Sequence, residues 1–149
     1  MEKIRLITTI ITLTILVLFA WIAFFIEKDQ QQTCTGTEME CGLVKGIQIE
    51  REITIDNCLQ EQARKRAEFI YDTGEFSHEP QGIEPWWYIQ KCISYRLAGE
   101  NLTKGYDKFE EAHKALMESP GHRKNILNKN FQKIGVGCYE NICVEFFSN

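Results

Sequence analysis

The feature that most constrains this chain is a run without charge, Leu6 to Ile26, at one end of an otherwise polar sequence. As a helix rising about 1.5 Å per residue, such a run of roughly 21 residues would extend about 31 Å, close to the ~30 Å hydrocarbon thickness of a bilayer. A single transmembrane helix over 6–26 is therefore expected. Thr8, Thr9, Thr12 and Thr14 lie within it, and each hydroxyl can bond back to a helix carbonyl instead of staying unsatisfied in lipid. A soluble core helix would show a polar face, which this run lacks. A cleaved signal peptide is the rival reading, since Lys3 and Arg5 form a short positive start. Against it, the apolar stretch is longer than the roughly 7–15 residues of a signal core, and Phe24-Phe25-Ile26-Glu27-Lys28 offers no small-x-small cleavage site.

Charge and cysteine orient the segment. Lys3 and Arg5 precede it and Lys28 alone follows closely, so residues 1–5 are expected to be a cytoplasmic tail and the C-terminal domain to lie outside the cell. Secretion after signal cleavage is the alternative localisation. All six cysteines, Cys34, Cys41, Cys58, Cys92, Cys138 and Cys143, fall beyond the run, and an even number in a small exported domain reads as a set of disulfides. The thiols show no C-x-x-C spacing that would suggest structural zinc. With 149 residues, the chain has room for about one domain besides this segment. Its 17 basic and 21 acidic side chains give a net charge of −4, with no dense basic block after residue 5. That excludes a duplex nucleic-acid binder, which needs a basic face to displace phosphate counterions.

Residues 27–42 read as a linker, rich in Glu, Asp, Gln and Thr, and residues 43–149 as the folded domain. Ile47, Ile49, Ile53 and Ile55 alternate with polar residues, a strand-like period of two. Asp56 is a candidate N-cap, and Leu59, Ala63, Ala67, Ile70 and Tyr71 recur at helical spacing as far as Gly74, a C-terminal stop. A short helix is expected from Pro85 through Trp86 and Trp87. Another follows Asp107, which stands in capping-box relation to Glu110, with Phe109, Ala112, His113 and Leu116 on one face. Ser119 as N-cap and Pro120 at the first helical position predict a fresh helix. The chain then reads as two strands, Lys133 to Tyr139 and Ile142 to Phe147. A two-residue turn at Glu140-Asn141 would set Cys138 opposite Cys143, close enough for a disulfide. Cys58 with Cys92 follows from locality, and Cys34 with Cys41 from elimination.

Three histidines are available for chemistry. His113, mid-helix beside an apolar face, reads as a packing residue. His78 lies in polar company after one helix, in Gly74-Glu75-Phe76-Ser77-His78, and His122 at the start of another, with Gly99-Glu100-Asn101-Leu102 between them. Two neutral imidazoles and a carboxylate can form a zinc shell with an open position.

Four segments in order, CLQEQARKRAEFIYDTGEFSH, YRLAGENLTKGY, ALMESPGHRKNILNKNFQKIGVGCY and ICVEFF, make the stretch from about Ile55 to Phe147 resemble the CAP superfamily. This is the group of cysteine-rich secretory, antigen 5 and pathogenesis-related proteins, also called SCP-like, and the likeness is to its short bacterial branch. The resemblance implies an α+β fold, an α-β-α sandwich with a central antiparallel sheet, here preceded by the one N-terminal transmembrane helix. It also implies a surface cleft where two histidines and two acids converge and can hold a divalent cation, often zinc. Carried over by position, the histidines are His78 and His122 and the acid of the GEN motif is Glu100. The second acid's place falls at about Ser119, next to Glu118, so the set is three of four. The family usually opens with an N-x-x-R helix before its first strand. Gly42 to Asp56 is too short to hold both, so that helix is expected to be missing.

Two function classes follow. One is a membrane-anchored extracellular binding module, not an enzyme, whose cleft of His78, Glu100, His122 and Ser119 takes a divalent cation or a lipid, peptide or cell-envelope ligand. The other is a hydrolase in which His78 or His122 is the base, Glu100 orients it, and Ser119 or a metal-bound water attacks. The absence of G-x-S-x-G and H-E-x-x-H, and a Ser119 that a helix cap explains, favour the binding module.

Overall fold

A computed structural model describes residues 13–22 and 33–149. The chain divides into two compact units, Met1–Thr33 and Cys34–Asn149. In the first, residues 13–22 form helix α1, whose large apolar side chains are exposed. Among the described residues no helix is long and apolar enough to cross a membrane. The remainder of the 6–26 segment lies outside the described residues, as do the 1–5 tail and residues 27–32 of the linker.

The second unit runs α2 (Glu38–Glu50), β1 (Thr54–Ile55), α3 (Asn57–Thr73), a 3-10 turn at Pro80–Gly82, α4 (Trp86–Ile89), β2 (Ala98–Lys104), α5 (Phe109–Glu118), α6 (Pro120–Ile126), β3 (Lys133–Tyr139) and β4 (Ile142–Ser148). Helix α3 starts and stops where its sequence signals lie. The Asp56 carboxylate accepts from the backbone N–H groups of Cys58 and Leu59, and Gly74 closes the helix in the left-handed region at φ 71°.

The four strands lie in the order β1-β3-β4-β2. β2–β4 and β3–β4 are antiparallel, but β1 pairs parallel with β3, so the expected antiparallel sheet is in fact mixed. The chain leaves β1 directly into α3 and returns to β3 only after α4, β2, α5 and α6. A crossover of that length permits a parallel edge, whereas a tight hairpin would not.

Period-two alternation sorts the side chains onto two faces. Ile142, Val144 and Phe146 of β4 pack with Leu102 of β2 against Leu59, Ala63, Ala67 and Ile70 of α3 and Tyr88 and Ile89 of α4. Cys143 and Phe147 of β4 and Ile134 and Val136 of β3 pack on the opposite side, against α2, α5 and α6. Every residue of β4 is buried, as a central strand between two helical layers must be. Gly135 and Gly137 let α3 lie directly on β3. A Cβ at either position would run into the α3 backbone, at Leu59–Gln60 or Ala63–Arg64.

Two expectations at the start of this unit are overturned. The isoleucine alternation makes a strand only at its far end, β1 at Thr54–Ile55, since Ile47 lies in α2 fully buried while Ile49 is 82% exposed. The helix expected to be missing is α2 itself, which begins at Glu38, before the span that looked too short. Its start is set by a capping box. The Thr37 hydroxyl accepts from the Glu40 N–H at 3.2 Å, and the Glu40 carboxylate accepts from the Thr37 N–H at 2.7 Å. Its direction is set by α5, for Gly42 faces the Phe109 ring and Gly46 faces His113 so closely that neither has room for a Cβ. His113 is thus the packing residue its position suggested.

Glu40 is fully buried and also ties α2 to its neighbours. It accepts from Arg64 Nε at 2.6 Å, Arg64 Nη2 at 2.8 Å and the Cys138 N–H at 2.9 Å. Burial alone would raise this carboxyl, but these donors hold it below the ordinary glutamate value. At α5 the expected Asp107 cap is displaced by one residue. Lys108 is the N-cap and makes no side-chain capping bond. The disulfides are Cys34–Cys41, Cys58–Cys92 and Cys138–Cys143, the pairing expected from hairpin register, locality and elimination. Cys138 and Cys143 are register partners across the β3–β4 hairpin.

Candidate functional site

Glu100 sits near the start of β2, opposite Phe146 of β4, and so points to the face covered by α3. Its side chain is 1% exposed. A carboxylate that deep needs donors of its own, and it has two. Arg66 of α3, also fully buried, donates from Nε to Oε1 at 3.0 Å, and His78 Nδ1 lies 2.6 Å from Oε2. Arg66 does more than neutralise the acid. Its Nη1 donates to the Ile83 carbonyl at 2.9 Å and its Nη2 to the His78 carbonyl at 2.6 Å, and its guanidinium lies 5.4 Å from the centre of the Tyr88 ring. One side chain thereby fixes both limbs of the loop between α3 and α4 and presents His78 to Glu100.

His78 is more than half exposed. With Nδ1 turned to Glu100, its Nε2 is the ring atom left for a ligand. The bond to Glu100 raises the His78 imidazole above its usual value, against the opposing effect of burial. His122, in the first turn of α6, moves the other way. Burial lowers it first, and the charge of nearby His78 lowers it further. The two imidazoles are thus displaced in opposite directions, His78 toward the charged form and His122 toward the neutral form. Such a split is how paired groups acquire separate acid and base roles.

The turn carrying His122 is held from the other face of the sheet. Asn101, next to Glu100 and pointing the opposite way, donates from Nδ2 to the His122 carbonyl at 3.3 Å and to Glu145 Oε2 at 2.9 Å. Asn125 of α6 donates to Asn101 Oδ1 at 2.9 Å and to the Glu100 carbonyl at 3.2 Å. Ser119 joins α5 to α6. Its N–H donates to the Ala115 carbonyl and its carbonyl accepts from Arg123, but its hydroxyl makes no capping bond. Glu118 points away into an exposed pairing with Lys114.

Among the described residues no group of three or more His, Cys, Asp or Glu side chains is arranged to hold a metal ion. Glu100 accepts one bond on each oxygen, from Arg66 and from His78, and acts here as the partner that orients His78.

Sequence reasoning missed Arg66, Asn101, Asn125 and Glu145. Arg66 occupies a helical position among alanines that pack on the sheet, Ala63 and Ala67, and that placement signals a buried cation in need of an acid. Asn101 was in view only as part of the GEN motif, and Glu145, between Val144 and Phe146, alternates with apolar residues in a strand that could have faced solvent.

The family model described as the cysteine-rich secretory protein family, CAP, matches residues 50–147. Over 92 residues the chain is 44% identical to the protein YkwD of Bacillus subtilis, covering 60% of this chain and 36% of that protein. It is similar to the solved structure of an extracellular protein containing an SCP domain from Bacillus anthracis, with a TM-score of 0.62 and 27% identity over 65% of this chain and 33% of that one. An outer surface protein from Borrelia burgdorferi shares the fold, with a TM-score of 0.67 and 22% identity over 78% of this chain and 95% of that one. The chain thus spans about a third of the length of the two Bacillus proteins.

Proposed function

Because this chain belongs to the CAP family of cysteine-rich secretory proteins, we propose that it is a non-enzymatic binding module displayed outside the cell. It is tethered by the uncharged segment Leu6–Ile26 and takes its ligand in a cleft at His78 and His122. Three disulfides and no free cysteine among the described residues suit an oxidising compartment, and the similar Bacillus anthracis protein is described as extracellular.

The observation that carries the binding reading is the commitment of Glu100. With Arg66 on one oxygen and His78 on the other, the carboxylate holds an imidazole in place. Among the described residues no hydroxyl or thiol is hydrogen-bonded to either imidazole, and a covalent hydrolase needs a nucleophile within such reach of its base. In this reading His78 Nε2, backed by a carboxylate, and the His122 ring face the ligand together. That pair suits a polar group of a lipid, peptide or cell-envelope ligand. It also suits a divalent cation such as zinc held by two imidazoles, with Glu100 fixing the ring of His78 from behind.

One observation favours the hydrolase alternative, the opposite displacement of the two imidazoles. Zinc chloride titrated calorimetrically into the full-length chain at pH 7.5, beside the His78→Ala and His122→Ala variants, separates the readings. One site in the parent chain, weakened at least about tenfold in either variant, supports the binding module, since each lost imidazole removes a direct ligand bond. Binding indifferent to both replacements would remove the ligand from this site. Turnover of ester or peptide substrates abolished by His78→Ala would establish the hydrolase instead.

A further inference from the structure

Glu145 is a fully buried acid with no cation beside it. It lies in the middle of β4, in register with Val136 of β3 on one side and Asn101 of β2 on the other. Its Oε2 accepts from Asn101 Nδ2 at 2.9 Å, while its Oε1, equally buried, has no hydrogen-bond partner. The titratable groups that are buried or half-buried on that side of the sheet include Glu40 and Arg51 at the two ends of α2, Tyr106 before α5, His113 on α5 and His122 on α6. Glu40 is paired with Arg64, and Arg51 donates to the carbonyls of Ile126 and Phe131. Arg123 and Lys124 of α6 are exposed. None of them shifts Glu145, on which only burial and the Asn101 amide act. Burial pushes its carboxyl up to about 7, against the opposing effect of the Asn101 bond.

Asn101 links this acid to the site. A side-chain amide has two N–H donors and one oxygen, and here the donors serve Glu145 and the His122 carbonyl while the oxygen serves Asn125. The amide is planar, so it cannot tilt toward Glu145 without changing the longer, 3.3 Å bond to His122. Ionising the acid makes the Asn101 bond charge-assisted, hence shorter and stronger, and protonation relaxes it.

We propose that Glu145 is a positioning residue for the His78–His122 site, acting through Asn101 on the first turn of α6 from the face of the sheet opposite Glu100. The site's geometry then responds to pH through a group that never touches the ligand. This inference rests on reading the two imidazoles as the binding site, and adds regulation to it.

The test is an NMR titration of the full-length chain from pH 5.5 to 8.5, following the His122 carbonyl carbon and the Asn101 side-chain amide. Both signals should move in the parent chain with a shared midpoint near 7. In Glu145→Gln, which keeps the size and the acceptor oxygen but cannot ionise, the step at that midpoint should be lost from both signals, leaving only the movement caused by the His78 and His122 rings. Signals that do not move in the parent chain, or that move identically in the variant, would overturn the proposal. The zinc titration reports separately on the binding reading. If it finds no site while the carbonyl still follows Glu145, the relay stands and the binding reading falls.

Discussion

Glu100 and Glu145 are both buried acids, on neighbouring strands and on opposite faces of one sheet. Glu100 faces α3 and meets a guanidinium and an imidazole. Glu145 faces α2, α5 and α6 and meets one amide. Depth is similar in the two cases, and the difference lies in what each oxygen touches. The first arrangement is a rigid clamp that spends a cation on structure. The second leaves a carboxyl whose charge is expensive, and so one whose protonation can change within the physiological range.

Removing the cation should produce the largest effect. Arg66→Ala would strand Glu100 without its ion-pair partner and release the carbonyls of His78 and Ile83, at a cost of about 3–5 kcal/mol. Urea denaturation measures it, and a loss below about 1 kcal/mol would mean that the clamp is not what holds this face. Replacing both partners, Arg66→Met with Glu100→Leu, should recover much of that loss, because the unpaired buried charge disappears with its partner.

The second effect has the opposite sign. The Glu145 carboxyl lies higher in the folded chain, at about 7, than in an unfolded one. Between those values the folded state keeps a proton that the unfolded state has released, so stability falls as pH rises and the penalty is complete above the folded value. Glu145→Gln should therefore stabilise the protein by about 1–3 kcal/mol at pH 8, with the gain vanishing toward pH 4. Thermal melts at the two pH values check it, and a pH-independent difference would refute the assignment.

The smallest effect belongs to His78, whose exposed ring is screened by solvent. Its value is raised on folding, so the Glu100 pairing contributes stability that is present in mild acid and lost as pH climbs past that raised value. His78→Ala should cost only a few tenths of a kcal/mol, more at pH 6 than at pH 9, while binding at the site weakens by at least about tenfold. A stability loss as large as that of Arg66→Ala would reassign His78 from ligand contact to scaffold.

Much was legible wherever the deciding interactions are short in sequence. The Asp56 cap and Gly74 stop of α3, the Ser119–Pro120 junction, and the β3–β4 hairpin with Cys138 opposite Cys143 are each settled within a few residues. The capping box of Thr37 and Glu40 is equally local, yet it falls in the stretch read as a linker, and the isoleucine alternation after it was read as a strand. A helix carrying Ile47 inward can leave Ile49 in solvent, and only the close approach of α5 across Gly42 and Gly46 decided between the two periods.

By itself the sequence determined the ends of α3, the α5–α6 junction and the β3–β4 hairpin, because backbone capping and turn geometry act over short range, while His78, Glu100 and His122 were singled out by the resemblance to the CAP family. The tertiary structure decided which partner each acid received. Arg66 reaches Glu100 across 34 positions and Asn101 reaches Glu145 across 44. The charge of a buried carboxyl depends on the atoms within hydrogen-bond distance of it, and those atoms are brought there only when α3 and α6 close over the two faces of the sheet.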